Sequence, residues 1–104
     1  MRFFPALLAV GLLFPGVFSS CKKKPQAAAY SFADVQRIVA ERCATCHAAK
    51  PTQPGFNEPP KGFLLDTPGH IVANASKIDE QSVRSKVMPI GNLTNMTDSE
   101  RATL

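Results

Sequence analysis

A chain of 104 residues with an aromatic content of 8% and no tryptophan has room for one small domain with a thin core, which excludes a multidomain enzyme. Twelve basic residues against eight acidic ones give a formal charge of +4. Arg2 and the Lys22–Lys24 cluster carry that excess, all the acids lie beyond Lys24, and no basic face is interleaved with aromatics, which speaks against nucleic-acid binding.

Taken in chain order, Arg2 precedes an apolar run from Phe3 to Phe18 that contains Pro5, Gly11, Pro15 and Gly16. The run is shorter than the roughly 20 residues a membrane-spanning helix needs, and its prolines would leave backbone groups unpaired. A charged start, an apolar centre and small residues at the end fit a signal peptide over residues 1–20. Phe18-Ser19-Ser20-Cys21 resembles the lipobox of bacterial lipoproteins, with Phe18 where leucine is usual. That resemblance implies lipidation of Cys21. An ordinary signal peptide that leaves Cys21 a free thiol is the other reading. Residues 21–29 form a tether whose lysines can also meet anionic head groups.

The domain is expected over residues 30–104. Ser31 with Asp34 is a capping-box variant, and Phe32, Val35, Ile38 and Val39 recur at helical spacing, so an amphipathic helix should run from about Phe32 to Cys43. Six prolines and glycines between Lys50 and Gly62 exclude helix and strand interiors and predict a long loop. Thr67-Pro68 opens a short helix to about Ala75. A further helix begins near Asp79, carries Val83 and Val87, and ends before Met88-Pro89. After a loop from Ile90 to Met96, Thr97 and Glu100 cap a last helix. No strand pattern and no repeat is found, so the fold class is all-α.

Cys43-Ala44-Thr45-Cys46-His47 is a C-x-x-C-H motif, the attachment pattern of haem c. Two intervening residues set the sulfurs about as far apart as the two vinyl groups of haem. His47 can then reach the iron through an imidazole nitrogen, if its other ring nitrogen is hydrogen-bonded. One covalent haem would also give this thin core an apolar body to pack against. With Cys21 lipidated, every cysteine has a use. The same residues suit rival chemistries. Thiol–disulfide exchange uses C-x-x-C, normally within a βαβ unit. A zinc site would need a fourth ligand, and His70 is the remaining histidine. Copper could recruit Met88 and Met96. For the second axial position on a haem iron, Met88 is favoured, because it sits where helix gives way to loop. Met96 adjoins the Thr97 cap and suits core packing, and His70 suits the surface.

Taken together, the segment Tyr30–Leu104 resembles a class I cytochrome c domain. More narrowly, it resembles the cytochrome c domain at the C-terminal end of bacterial membrane-bound urate oxidases (urate hydroxylases). The residues that carry this are Cys43-x-x-Cys46-His47, Pro51-Thr52, Gly55-Phe56, Pro59-Pro60-Lys61-Gly62, Leu65-Asp66-Thr67-Pro68 and Met88-Pro89-x-Gly91-Asn92-x-Thr94-x-Met96-Thr97-x-x-Glu100-Arg101. The resemblance implies a small helical domain wrapped around one covalently attached haem, with His47 and Met88 as axial ligands. It also implies that a carbonyl of the proline-rich loop, from Pro54 or Pro59, holds the second nitrogen of His47. No multi-span membrane domain precedes the motif, so no urate site is inferred, and a free-standing carrier is expected. The final helix stops earlier than in such domains.

The expected function is electron transfer between redox partner proteins, without catalysis by this chain alone. The expected place is the periplasmic side of the bacterial envelope, anchored by lipid. The alternative is an exported metal-binding or thiol-redox lipoprotein using Cys43, Cys46 and the methionines. A third reading is a haem sensor in which the Met88 bond gives way to a small ligand.

Overall fold

The computed structural model describes residues 29–104, together with Gly11 and Gly16. The expected signal peptide, the tether and Cys21 therefore lie outside the described residues, apart from those two glycines and Ala29. The described residues are helical and contain no strand.

Helix α1 spans Phe32–Arg42 and begins as its sequence requires. Ser31 Oγ accepts from the Asp34 backbone N–H at 3.2 Å, while the Asp34 carboxylate accepts from the Ser31 N–H at 3.0 Å. Two of the free N–H groups of the first turn are satisfied in this way. Of the expected apolar face, Ile38 and Val39 are fully buried, and Val35 packs against the core at its edge. Phe32 is exposed, because the first helical position lies beyond the reach of the core.

Between α1 and the next helix, the proline-rich segment is ordered by its own backbone. The Thr52 and Gln53 N–H groups both donate to the Thr45 carbonyl at 2.9 Å, which folds the segment back on the C-x-x-C-H turn. A short 3-10 turn covers Pro60–Gly62. Gly62 there has φ +66°, a left-handed conformation that glycine adopts without steric cost, and it redirects the chain into Phe63.

Helix α2 covers Pro68–Ala73, with proline at its first position and Thr67 Oγ1 accepting from the His70 N–H at 3.1 Å. The next helix starts earlier than the sequence suggests. α3 covers Ala75–Ile78 and runs directly into a widened, π-helical segment, Asp79–Arg84. Asn74 both closes α2 and opens α3: its N–H donates to the His70 carbonyl, and its own carbonyl accepts from Lys77 and Ile78. With no proline or glycine at that junction, the sequence gives no punctuation there. Widening also changes which residues face inward. Ser82 is buried, Val83 only partly so, and Val87, beyond the helix, is exposed.

Helix α4, Asp98–Thr103, carries a full capping box between Thr97 and Glu100. α1 packs against α2 and α4, and α4 also packs on the 79–84 segment. The buried apolar core is small: Ile38, Val39, Cys43, Leu65, Ile71, Ile78 and Met96, with Val35, Phe63 and Leu104 packed against it. Each such side chain contributes about 1.5–3 kcal/mol when fully buried, a thin return for a domain of this length.

Candidate functional site

Where α1 ends, its helical path continues for one more turn. The Cys43 and Ala44 N–H groups donate to the Val39 carbonyl, and the Cys46 and His47 N–H groups donate to the Cys43 carbonyl at 3.1 and 2.9 Å. This turn brings Cys43, Cys46 and His47 to the wall of one cavity of about 580 Å³. That volume falls in the range of small-molecule and cofactor sites. Phe56, Phe63, Leu65, Ile78 and Pro89 add apolar surface to the same wall.

Both thiols are free. Cys43 is buried, and burial pushes its thiol up to about 11, with the nearby Cys46 adding to the rise and the Arg101 guanidinium opposing it. A cysteine used in thiol–disulfide exchange needs the opposite shift, since the thiolate is the nucleophile.

The imidazole of His47 is held in one tautomer. Its Nδ1 lies 2.9 Å from the Phe63 carbonyl oxygen, which can only accept, so Nδ1 carries the proton. In its neutral form the ring then presents a bare lone pair at Nε2, as a metal ligand must. The expected carbonyl from Pro54 or Pro59 is thus replaced by that of Phe63, which follows the loop. The reason is local: the Leu65 N–H donates to the His47 carbonyl at 2.7 Å, which draws residues 63–65 alongside the histidine. The Phe63 ring also meets the imidazole edge-on, with centroids 5.4 Å apart, and Lys77 Nζ lies 5.3 Å from the Phe63 centroid.

The two methionines are separated by their surroundings. Met88 lines the cavity and is half-buried. Met96 is 4% exposed and belongs to the core cluster, where Asn92 brackets its backbone through bonds of 3.0 and 3.2 Å. His70 lies away from the cavity wall and pairs with Asp66 at 2.8 Å. Among the described residues, no three of His, Cys, Asp and Glu come together as donors for a bare metal ion.

Arg42, which the sequence does not single out, and Arg101, the last residue of the resembling Met88–Arg101 string, frame the loop that carries Met88. Arg42 forks onto the Glu100 carboxylate, at 3.0 Å from Nη2 to Oε1, and donates from Nη1 to the Thr94 carbonyl at 2.7 Å. Thr94 Oγ1 returns a bond to the Arg42 carbonyl at 2.8 Å. The Arg42 guanidinium, followed by the Thr97 N–H, holds the Glu100 carboxyl below its ordinary range. Arg101 is buried and donates to the Ser82 and Met88 carbonyls. A capping box with basic residues nearby is all the sequence shows of either cluster.

No family model, no curated protein and no solved structure matches the chain.

Proposed function

We propose that this chain is a monohaem c-type cytochrome, an electron-transfer protein of the bacterial cell envelope. The observation that carries the reading is one cavity wall shared by Cys43, Cys46, His47 and Met88, with the His47 tautomer already set by the Phe63 carbonyl. The residues fit the group. The wall is largely apolar, the thiols are unpaired, and the C-x-x-C-H turn follows directly on the end of α1. Cys43 and Cys46 would hold the haem through thioethers, with His47 Nε2 and the Met88 sulfur as axial ligands. When bound, haem supplies a one-electron couple between ferrous and ferric iron.

The chain's own residues do the rest. The Phe63 carbonyl orients His47 and makes it a better donor. Phe56, Phe63 and Leu65 give the wall apolar surface for the porphyrin to pack against. A methionine ligand favours the ferrous state and so raises the potential relative to histidine. With His47 and Met88 both holding the iron, no place would remain on it for substrate, which supports a carrier that exchanges electrons with protein partners. Lipidation at Cys21, anchorage and a periplasmic location belong to the same proposal. The raised Cys43 thiol weighs against thiol exchange on this motif.

The test is covalent attachment. Protein from a bacterium competent in cytochrome c maturation should keep its haem through a denaturing gel. Colourless protein that binds copper instead would overturn the reading in favour of a metal-binding lipoprotein.

A further inference from the structure

The fold of Arg101 raises a question that packing alone leaves open. The residue is 7% exposed, in the middle of α4. Among the described residues no carboxylate pairs with it, since Glu100, its neighbour, is committed to Arg42. Burying a cation without a counter-ion is costly, and an aliphatic side chain would fill the space at less cost. What the guanidinium does, then, lies in what it donates to. Nη1 reaches the Met88 carbonyl at 2.8 Å and also the Ser82 carbonyl.

Those two carbonyls mark the end of the π-helical segment and the start of the loop. The Met88 N–H donates in turn to the Gln81 carbonyl at 2.9 Å. Both backbone polar groups of Met88 are therefore fixed, one to the helix it follows and one to α4, in a residue that lines the cavity. Lys86, two residues earlier, has φ +57°, so the chain turns sharply before it reaches Met88. A thioether bond to iron is weak enough that the loop must be held in place for it to persist.

We propose that Arg101 is a positioning residue for the sixth ligand: its guanidinium clasps the Met88 carbonyl and so keeps the methionine sulfur on the iron. The inference rests on the reading of the chain as a haem protein with Met88 as ligand. Both bonds leave one nitrogen, Nη1, whose two N–H directions are fixed by the guanidinium plane, whereas the rotating ammonium of a lysine sits on a shorter stem and has no such fixed directions.

The experiment compares R101K with E100Q in the haem-loaded protein. E100Q also loosens α4, through the Arg42 pair, but leaves the Met88 carbonyl alone. Two transitions are followed during denaturation: loss of the ferric iron–thioether absorption band, and loss of helical circular dichroism. In R101K the band should disappear at lower denaturant than the helix signal, and reduced native protein should bind carbon monoxide about tenfold more readily, the scale of one charge-assisted hydrogen bond. In E100Q the two transitions should shift together. Coincident transitions in R101K, with carbon monoxide binding unchanged, overturn the proposal. Should R101K fail to fold, the unmutated protein decides. Imidazole that displaces the thioether from ferric iron should move the Arg101 side-chain N–H resonances, and resonances that stay put overturn the proposal. Failure of the underlying reading looks different, because no variant would then keep haem on a denaturing gel.

Discussion

Around the cavity, Cys43, Cys46 and His47 follow α1 in a turn whose backbone bonds reach back no further than Val39. Met88 stands in a loop held by Arg101, thirteen positions later in the chain, while Thr94 in the same loop is held by Arg42, fifty-two positions earlier. The backbone turn of the first region is organised by local geometry, and the His47 ring is held by the Phe63 carbonyl sixteen positions on. The second exists only once α1 and α4 have docked. If His47 and Met88 hold the iron as proposed, the ligand set has one robust side and one that reports on tertiary packing. Loop segments with few buried contacts open at a lower free energy than the helices of the core. The Met88 side should therefore respond to perturbations that leave the His47 side intact.

The largest expected effect breaks the robust side. The double variant Cys43→Ala/Cys46→Ala should lose all gel-stable haem in a maturation-competent host and show little cooperative unfolding. The core of seven buried apolar side chains cannot compensate for an absent cofactor body. A folded, cooperative apoprotein would show that the cavity is not needed for the fold.

Next come the methionines. Met88→Ala should open the iron to carbon monoxide in the reduced protein, while haem stays covalently bound. Met96→Ala should leave the visible spectrum nearly unchanged but cost about 2–5 kcal/mol in denaturant unfolding, as a buried side chain truncated to alanine does. The reverse pattern would exchange the roles of the two residues.

Smaller again is Thr94→Val, which removes the hydroxyl that donates to the Arg42 carbonyl at 2.8 Å. The loss should be about 1 kcal/mol, read as a lower denaturant midpoint, with the iron–thioether band weakened by mild heating. If the band and the global transition still fall together, the loop is no less firmly held than the C-x-x-C-H turn.

The same contrast decides what the sequence discloses. The Cys43–His47 spacing, the Ser31–Asp34 and Thr97–Glu100 boxes and the Thr67-Pro68 start all act over three or four residues, and so they are legible by inspection. The single-helix reading after Asp79 misses α3 because Asn74 joins two helices without glycine or proline. The burial of Ser82 rather than Val83 follows from the π-helical widening, which breaks the 3.6-residue period on which such readings depend. Proline content marked the loop after His47, yet its hydrogen bond comes from Phe63, since the backbone register at Leu65 decides which carbonyl faces the ring. The partners of Arg42 and Arg101 are not legible in the sequence, because they lie between 13 and 58 positions away in the chain.

Acid separates the two regions most finely. The Glu100 carboxyl is lowered by Arg42 and the Thr97 N–H. Asp66 is lowered by the Ala49 N–H and His70, and Asp34 by the Ser31 hydroxyl and N–H. Each binds its proton less readily when folded, so the unfolded chain takes up more protons as the pH falls. Their stabilisation is complete above the ordinary carboxyl range, about pH 4, and is lost as the pH drops through the folded values. Asp34 and Asp66 serve α1 and the strand-free segment beside His47, whereas Glu100 serves α4 and, through Arg42, the Thr94 loop. Glu100→Gln should therefore lower stability at neutral pH and flatten its decline below pH 4, in urea unfolding followed across a pH series. The iron–thioether band and the helix signal should show the flattening together. An unaltered acid profile in that variant would mean that the Arg42–Glu100 pair contributes nothing, and the docking of α4 would then rest on Arg101 and apolar contact alone.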